Sequence, residues 1–268
     1  MFHRLRVEAH GPFGIRTLSF LLKLYPSRVN LVFNLMLEAD REIDPHIAGR
    51  VLNPGWETII VTAFIQARMS SRRFPGKVLT PFLGRPVIEH VIENVQLVEA
   101  ISRTVVLTSD EKSDDPLVEY LESAQHEVFR GPLLNVFERY RLAAQEFPAP
   151  WVLRLCADSP LLSSAVVEEV VKRGLGDAEC DLVTTRFSPP FPKGQNAELI
   201  RTQCMLEVSV ESLTDFDREH VTPWFYRHRD KYRIVNASSL DLDLPDGDYT
   251  IDTPEDLERL ESLFGGDH

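Results

Sequence analysis

From residue 58 onward, short apolar runs alternate with longer stretches whose apolar positions recur every three or four residues. The run 58–65 is almost continuously apolar and predicts a buried strand. Residues 86–98 then place Val87, Ile88, Val91, Ile92 and Val95 on one helical face. The alternation continues. Strand 104–108 precedes a helix over Leu117, Val118 and Leu121, and strand 127–129 precedes a helix over 134–146. Strand 151–155 precedes a helix over 163–173, and strand 181–185 opens a proline-rich stretch, 188–194. A region without clear period runs to about 247, and strand 248–251 and helix 254–264 close the chain. Strands alternating with amphipathic helices predict an α/β fold, a Rossmann-like, mostly parallel sheet with helices on both faces. Such sheets bind ligands at the carboxyl ends of their strands. The polar clusters fall there: residues 68–77, Thr108-Ser109-Asp110, Asp158 and Asp252.

Residues 1–60 show no comparable alternation, only one helical pattern over 30–42. The expected division is an extension of unassigned role over 1–57 and a compact domain over 58–268. An over-called translation start, with Val61 as the true beginning, is an equally simple account of the extension.

Charge sharpens the picture. The chain of 268 residues carries a net charge of -12. That balance disfavours nucleic-acid and anionic-membrane binding, which normally show a basic excess. Against it, Arg68, Arg72, Arg73 and Lys77 crowd into one strand-to-helix loop. A local cationic loop in an acidic chain suits a small polyanion. In "QARMSSRRFPGK", Gly76 permits a tight turn and Pro75 stiffens it. Ser70 and Ser71 offer hydroxyls beside exposed amides. Arginine grips phosphate oxygens in pairs, and lysine acts as a point charge. The loop is neither a Walker A motif nor GxGxxG.

Other chemistries leave no trace. The three cysteines, Cys156, Cys180 and Cys204, lie far apart and make no zinc-type spacing. The histidines form neither HxxxH nor HExxH, and no Ser-His-Asp set is legible. Lys23, Pro26 and Arg28 interrupt the most apolar stretch, 18–37, so a soluble, cytoplasmic protein is expected.

The segments "AFIQARMSSRRFPGKVL", "VVLTSDEKSDDPLVEYL", "VFRGPLLNVFERYRLAA", "VLRLCADSPLL", "DREHVTPWFYRH" and "YTIDTPEDLERL" occur in this order over about residues 59–264. Together they resemble the cytidylyltransferase family of the spore-coat polysaccharide biosynthesis type, related to the CMP-Kdo and CMP-sialic acid synthetases. The resemblance implies a nucleotidyltransferase that joins CTP to a sugar acceptor, releases pyrophosphate and uses Mg²⁺. It implies catalytic roles for Arg68, Lys77 and Asp158. Nucleotide contacts fall on Ala67, Arg68, Ser70, Ser71, Arg73, Lys77, Thr108, Ser109 and Asp110. Arg130, Asn135, Arg139, Glu198 and Glu219 fall on the substrate-binding positions, and Asp158 and Asp252 on the metal positions. Cytosine is implied by the resemblance alone.

Each aspartate also has a plainer reading. Asp158 could cap helix 163–173. Asp252 precedes Thr253-Pro254-Glu255-Asp256, where Thr253 and Asp256 suit a capping box and leave Asp252 free. Asp241 and Asp243 imitate a DxD pair but read as a solvated strand face. Trp224, Phe225 and Tyr226 read as core or as contacts of a homodimer.

Three positions depart from the family pattern. Ala157 replaces a glycine before the metal aspartate, which a methyl group tolerates only at negative φ. Arg72 stands where threonine is usual, and Asn196 where an acidic residue is usual, so the acceptor's identity does not carry over. Two rivals remain: a glycosyltransferase of the same fold using a nucleotide-sugar donor, and a non-catalytic nucleotide-binding partner.

Overall fold

The computed structural model describes residues 61–264, apart from 188–190, 239–241 and 243. The extension over 1–57, the start of the first strand, part of the proline-rich stretch and the pair Asp241 and Asp243 lie outside the described residues.

Seven strands form the main sheet. In chain order they are β1 (Val61–Gln66), β4 (Ile101–Ser109), β5 (Glu127–Gly131), β6 (Trp151–Cys156), β7 (Leu182–Thr184), β8 (Glu198–Arg201) and β9 (Ile234–Asn236). Their order across the sheet is β5-β4-β1-β6-β8-β7-β9. All pairings are parallel except those of β8, which runs antiparallel to both β6 and β7. A separate two-stranded hairpin is made by β2 (Pro81–Phe82) and β3 (Arg85–Pro86).

The helices are α1 (Val87–Gln96), α2 (Asp115–Ser123), α3 (Val136–Glu146), α4 (Ser164–Leu175), α5 (Thr202–Leu206), α6 (Asp215–His220), α7 (Pro223–Arg227) and α8 (Pro254–Phe264). Side chains alternate across the sheet, so each strand feeds two cores. Val61, Ala63 and Ile65 pack with Ile88, Val91 and Ile92 of α1, Leu117 of α2 and Val167 of α4. Phe64, Leu107 and Val152 face the opposite way, onto Phe137 and Tyr140 of α3, Met205 of α5 and Phe225 of α7. Phe225 thus belongs to the second core, and Trp224 and Tyr226 pack half-buried against it. The helices on both faces follow from strands that are apolar on both sides.

Two elements differ from the sequence reading. The region without period holds β8, α5–α7 and β9, pieces of three to six residues, too short for a period to register. Conversely, 248–251 is not a strand. Its backbone bridges once to Lys193, with Tyr249 N–H donating to the Lys193 carbonyl at 2.8 Å. Ile251 N–H then donates to the carbonyl of Asp158 at 2.8 Å. The segment lies across the carboxyl end of β6 instead of lengthening the sheet.

Gly194 makes that crossing possible. Its φ is +91°, and an added Cβ would lie 2.8 Å from the Tyr249 carbonyl carbon. Gly84 also has positive φ, +81°, but open space around it. Gly194→Ala should therefore cost about 3 kcal/mol, from backbone strain plus overpacking, whereas Gly84→Ala should cost only about 1 kcal/mol. Urea denaturation of both variants checks the ranking, and equal losses would contradict it.

Candidate active site

The loop after β1 is held before any ligand arrives. Met69 N–H donates to Asp114 Oδ1 at 2.7 Å. Asp114 is fully buried and also accepts from the Thr108 hydroxyl at 2.9 Å, from Ser109 N–H at 3.0 Å and from the Ser109 hydroxyl. Burial alone would raise the Asp114 pKa. The hydrogen bonds from Ser109, Met69 and Thr108 outweigh it and hold the carboxyl below the usual aspartate value. The Met69 carbonyl in turn accepts from Ser71 N–H at 3.0 Å and Gly76 N–H at 2.9 Å, which closes the loop into a compact turn. Gly76 takes the left-handed conformation at φ 75° and starts the short turn Lys77–Leu79.

The cations of this loop divide into two groups. Arg68 is half-buried and Arg72 exposed, and among the described residues neither is hydrogen-bonded or ion-paired. Arg73 and Lys77 are committed to carboxylates. Arg73 meets Asp252 Oδ2 at 3.0 Å. The Lys77 ammonium lies 3.2 Å from Asp158 Oδ2, 3.0 Å from Asp252 Oδ1 and 2.9 Å from the Ile251 carbonyl. The crossing of the 248–252 segment over Asp158 sets this geometry, since it brings the two aspartates to one ammonium.

Asp252 is also 3.7 Å from the Lys193 ammonium, which pairs with Asp248 at 2.6 Å. Burial would raise the Asp252 pKa, but the hydrogen bond and charge of Lys77, with Arg73 and Lys193, bring it below the ordinary value. Ser163 caps α4, accepting from Ala165 N–H, so Asp158 is not that cap. Thr253 and Asp256 make the reciprocal backbone contacts of a capping box at α8 and leave the Asp252 side chain to the cations. Ala157 is not among the residues with positive φ, so the methyl group sits without strain.

These carboxylates fit a hard divalent cation in donor type, because Asp158 Oδ2 and Asp252 Oδ1 both lie within reach of one point, the Lys77 nitrogen. Among the described residues no group of three or more His, Cys, Asp or Glu residues could hold a metal. An ion here would take its remaining ligands from phosphate oxygens and water, as Mg²⁺ readily does.

A family model described as cytidylyltransferase matches residues 62–265. The chain belongs to the cytidylyltransferase family. The spore coat polysaccharide biosynthesis protein SpsF of Bacillus subtilis (strain 168) is 27% identical over 206 residues, covering 75% of this chain and 84% of that protein. A solved cytidylyltransferase from Leptospira borgpetersenii serovar Hardjo-bovis (strain JB197) superposes with a TM-score of 0.72 at 27% identity, covering 78% of this chain and 88% of that one. The CMP:2-keto-3-deoxy-manno-octonic acid synthetase solved with CTP shares the fold, with a TM-score of 0.59 at 16% identity over 77% and 98% of the two chains.

The remaining predicted residues are placed unevenly. Ala67 continues β1, its N–H donating to Leu107 O at 3.0 Å. Ser70 is exposed, and the Ser71 hydroxyl accepts from Phe74 N–H at 3.4 Å. Thr108 and Ser109 turn their hydroxyls into Asp114, so their side chains brace the loop. Asp110 is exposed, its N–H donating to the Gly131 carbonyl at 3.0 Å. Arg130 staples the β4–α2 connection, donating to the Ser109 and Glu111 carbonyls and pairing with Asp115 at 2.8 Å. Asn135 caps α3, accepting from Glu138 N–H.

Arg139 is 1% exposed and donates to the Pro132 and Leu133 carbonyls, while its Nη1 has no hydrogen-bond partner. Burial lowers the Arg139 pKa, and the like charge of Arg68 adds to this against Asp114 and Asp110. Glu198 is buried in a pair with Arg154 at 2.6 Å and accepts from the Tyr226 hydroxyl. Glu219 is exposed on α6, and its side chain makes no hydrogen bond or ion pair with the described residues.

Asp114, Lys193 and Asp248 were not singled out by sequence. Asp114 precedes a helix start with proline in its first turn, where acidic residues are ordinary, so nothing marked it.

Asp114 and Asp252 have folded pKa values below their unfolded ones. Their stabilisation is therefore complete above about pH 4 and is lost as pH falls through the lower folded values. Denaturant unfolding measured from pH 7 to pH 2 should show this acid limb. Asp114→Asn should be less stable at pH 7 by about 2 kcal/mol and should show a shallower limb. An unchanged limb in the variant would show that Asp114 does not contribute to it.

Proposed function

We propose that this chain is a Mg²⁺-dependent cytidylyltransferase that joins CTP to a sugar acceptor and releases pyrophosphate, for surface polysaccharide or glycan synthesis. Family membership supports the nucleotidyl-transfer chemistry and the choice of CTP. One observation of this chain carries the reading furthest. The loop is clamped by Asp114, keeps Arg68 and Arg72 free of partners, and ends in a lysine touching two carboxylates.

In the proposed reaction an acceptor oxygen attacks the α-phosphorus of CTP, and the bond to the bridging oxygen of pyrophosphate breaks. Arg68, Arg72 and Lys77 offset charge on the non-bridging and leaving oxygens. The backbone around Arg68 and Arg72 is fixed beforehand by the Met69–Asp114 clamp, whereas Lys77 reaches a phosphate only on leaving its carboxylates. Asp158 and Asp252 would hold the divalent ion, which when bound draws charge from the phosphate oxygens. The Nη1 of Arg139 is a buried donor with no partner among the described residues. Arg130 and Asn135 then serve by shaping the loops around it.

For the acceptor, an open cleft of about 300 Å³ is lined by Thr185, Arg186, Phe191, Lys193 and Asn196. Lys193 ties this cleft to Asp252. The volume is at the lower end for small-molecule sites and suits a monosaccharide. Glu198, spent on Arg154, acts there through the fold. Among the described residues no helix is long and apolar enough to cross a membrane.

Thermal-shift measurements with CTP, UTP, GTP and ATP, each with and without Mg²⁺, test the nucleotide. At a hundredfold excess over Kd, CTP should add about 2.7 kcal/mol of stability. In a pyrophosphate-release assay with CTP and candidate sugars, Asp158→Asn and Asp252→Asn should each lose roughly a hundredfold or more in turnover. Release of a nucleoside diphosphate from a nucleotide-sugar would instead indicate a glycosyltransferase. The absence of any nucleotide shift would indicate a non-catalytic role.

A further inference from the structure

A lysine ammonium has three donors. In Lys77 all three are spent, on Asp158 Oδ2, Asp252 Oδ1 and the Ile251 carbonyl. The residue is 8% exposed, so water does not share the contacts freely. Two consequences follow. An ammonium committed in this way has no donor left for a phosphate. The carboxylate oxygens that it occupies are also the ones that would bind a divalent ion, and a dication beside them would meet its positive charge.

The neighbouring cations do not duplicate this role. Arg73 touches only Asp252 and is 66% exposed at its side chain. Lys193 is divided between Asp248 and Asp252. Among the described residues, Asp158 has no cation other than Lys77.

We infer that Lys77 is an internal counter-cation that closes the carboxylate pair to divalent ions until a triphosphate draws the ammonium away. Nucleotide binding thereby completes the metal site. This rests on the reading of Asp158 and Asp252 as the metal carboxylates. The lysine stem is long and flexible, and a triphosphate offers the displaced ammonium a new anionic partner. The coupling is reciprocal, so a bound dication, by expelling Lys77, also improves the site for the triphosphate.

The test uses the full chain without nucleotide and Mn²⁺ as the probe, with free Mn²⁺ read by electron paramagnetic resonance. Lys77→Met should bind Mn²⁺ at least tenfold more tightly than wild type, and Lys77→Met/Asp158→Asn should lose that gain. Added Mn²⁺ should raise the melting temperature of Lys77→Met but not of wild type. If the methionine variant does not fold, Lys77→Gln keeps hydrogen-bond donors without the charge and should show the same direction. Equal or weaker Mn²⁺ binding in the lysine variants overturns the inference. A wild type that binds Mn²⁺ equally well, with loss on Asp158→Asn, would still leave the carboxylate pair as a metal site. No uptake by any variant overturns the inference, and the CTP thermal shift decides the nucleotide reading independently.

Discussion

One lysine ammonium joins three parts of the chain that are distant in sequence. Lys77 lies on the turn after the cationic loop, Asp158 follows β6, and Asp252 lies on the segment crossing it. An ammonium buried with two carboxylates is stable only because each partner is supplied by backbone that cannot easily withdraw. Ile251 N–H is fixed to the Asp158 carbonyl, and the Ile251 carbonyl takes the third donor of Lys77. Removing Lys77 leaves Asp158 with no cationic partner among the described residues, and an unpaired charge left behind costs more than the pair contributes when intact.

The Asp114 clamp solves a related problem on the other side of the loop. A stretch carrying four cations would spread by mutual repulsion if only solvent held it. Here one buried carboxylate, just before α2, anchors Met69, and the Met69 carbonyl closes the turn at Ser71 and Gly76. The cations are thus kept close together, and two of them keep no partner of their own. Unneutralised charge on a preformed loop is what a polyanion can exploit with little ordering cost.

Several polar residues that resemble ligands serve the frame instead. Glu198 pairs with Arg154, Arg130 pairs with Asp115, and Asn135 caps the start of α3. Each stands close in sequence to the strand ends where a ligand would lie, so sequence alone cannot separate a ligand contact from a brace. Arg139 and Arg154 each keep one buried donor without a partner among the described residues, Nη1 and Nε respectively.

The sequence by itself determined the α/β class, the four leading strand–helix alternations and the cationic loop, because these depend on local periodicity and on residue type. It also separated Asp252 from its helix cap, since Thr253 and Asp256 satisfy that cap over a span of four residues. Tertiary structure alone decided what lies between distant segments. The antiparallel course of β8 and the crossing of 248–252 depend on hydrogen bonds to strands dozens of residues away. The roles of Asp114 and Lys77 arise from partners with no fixed spacing, so no local pattern could encode them.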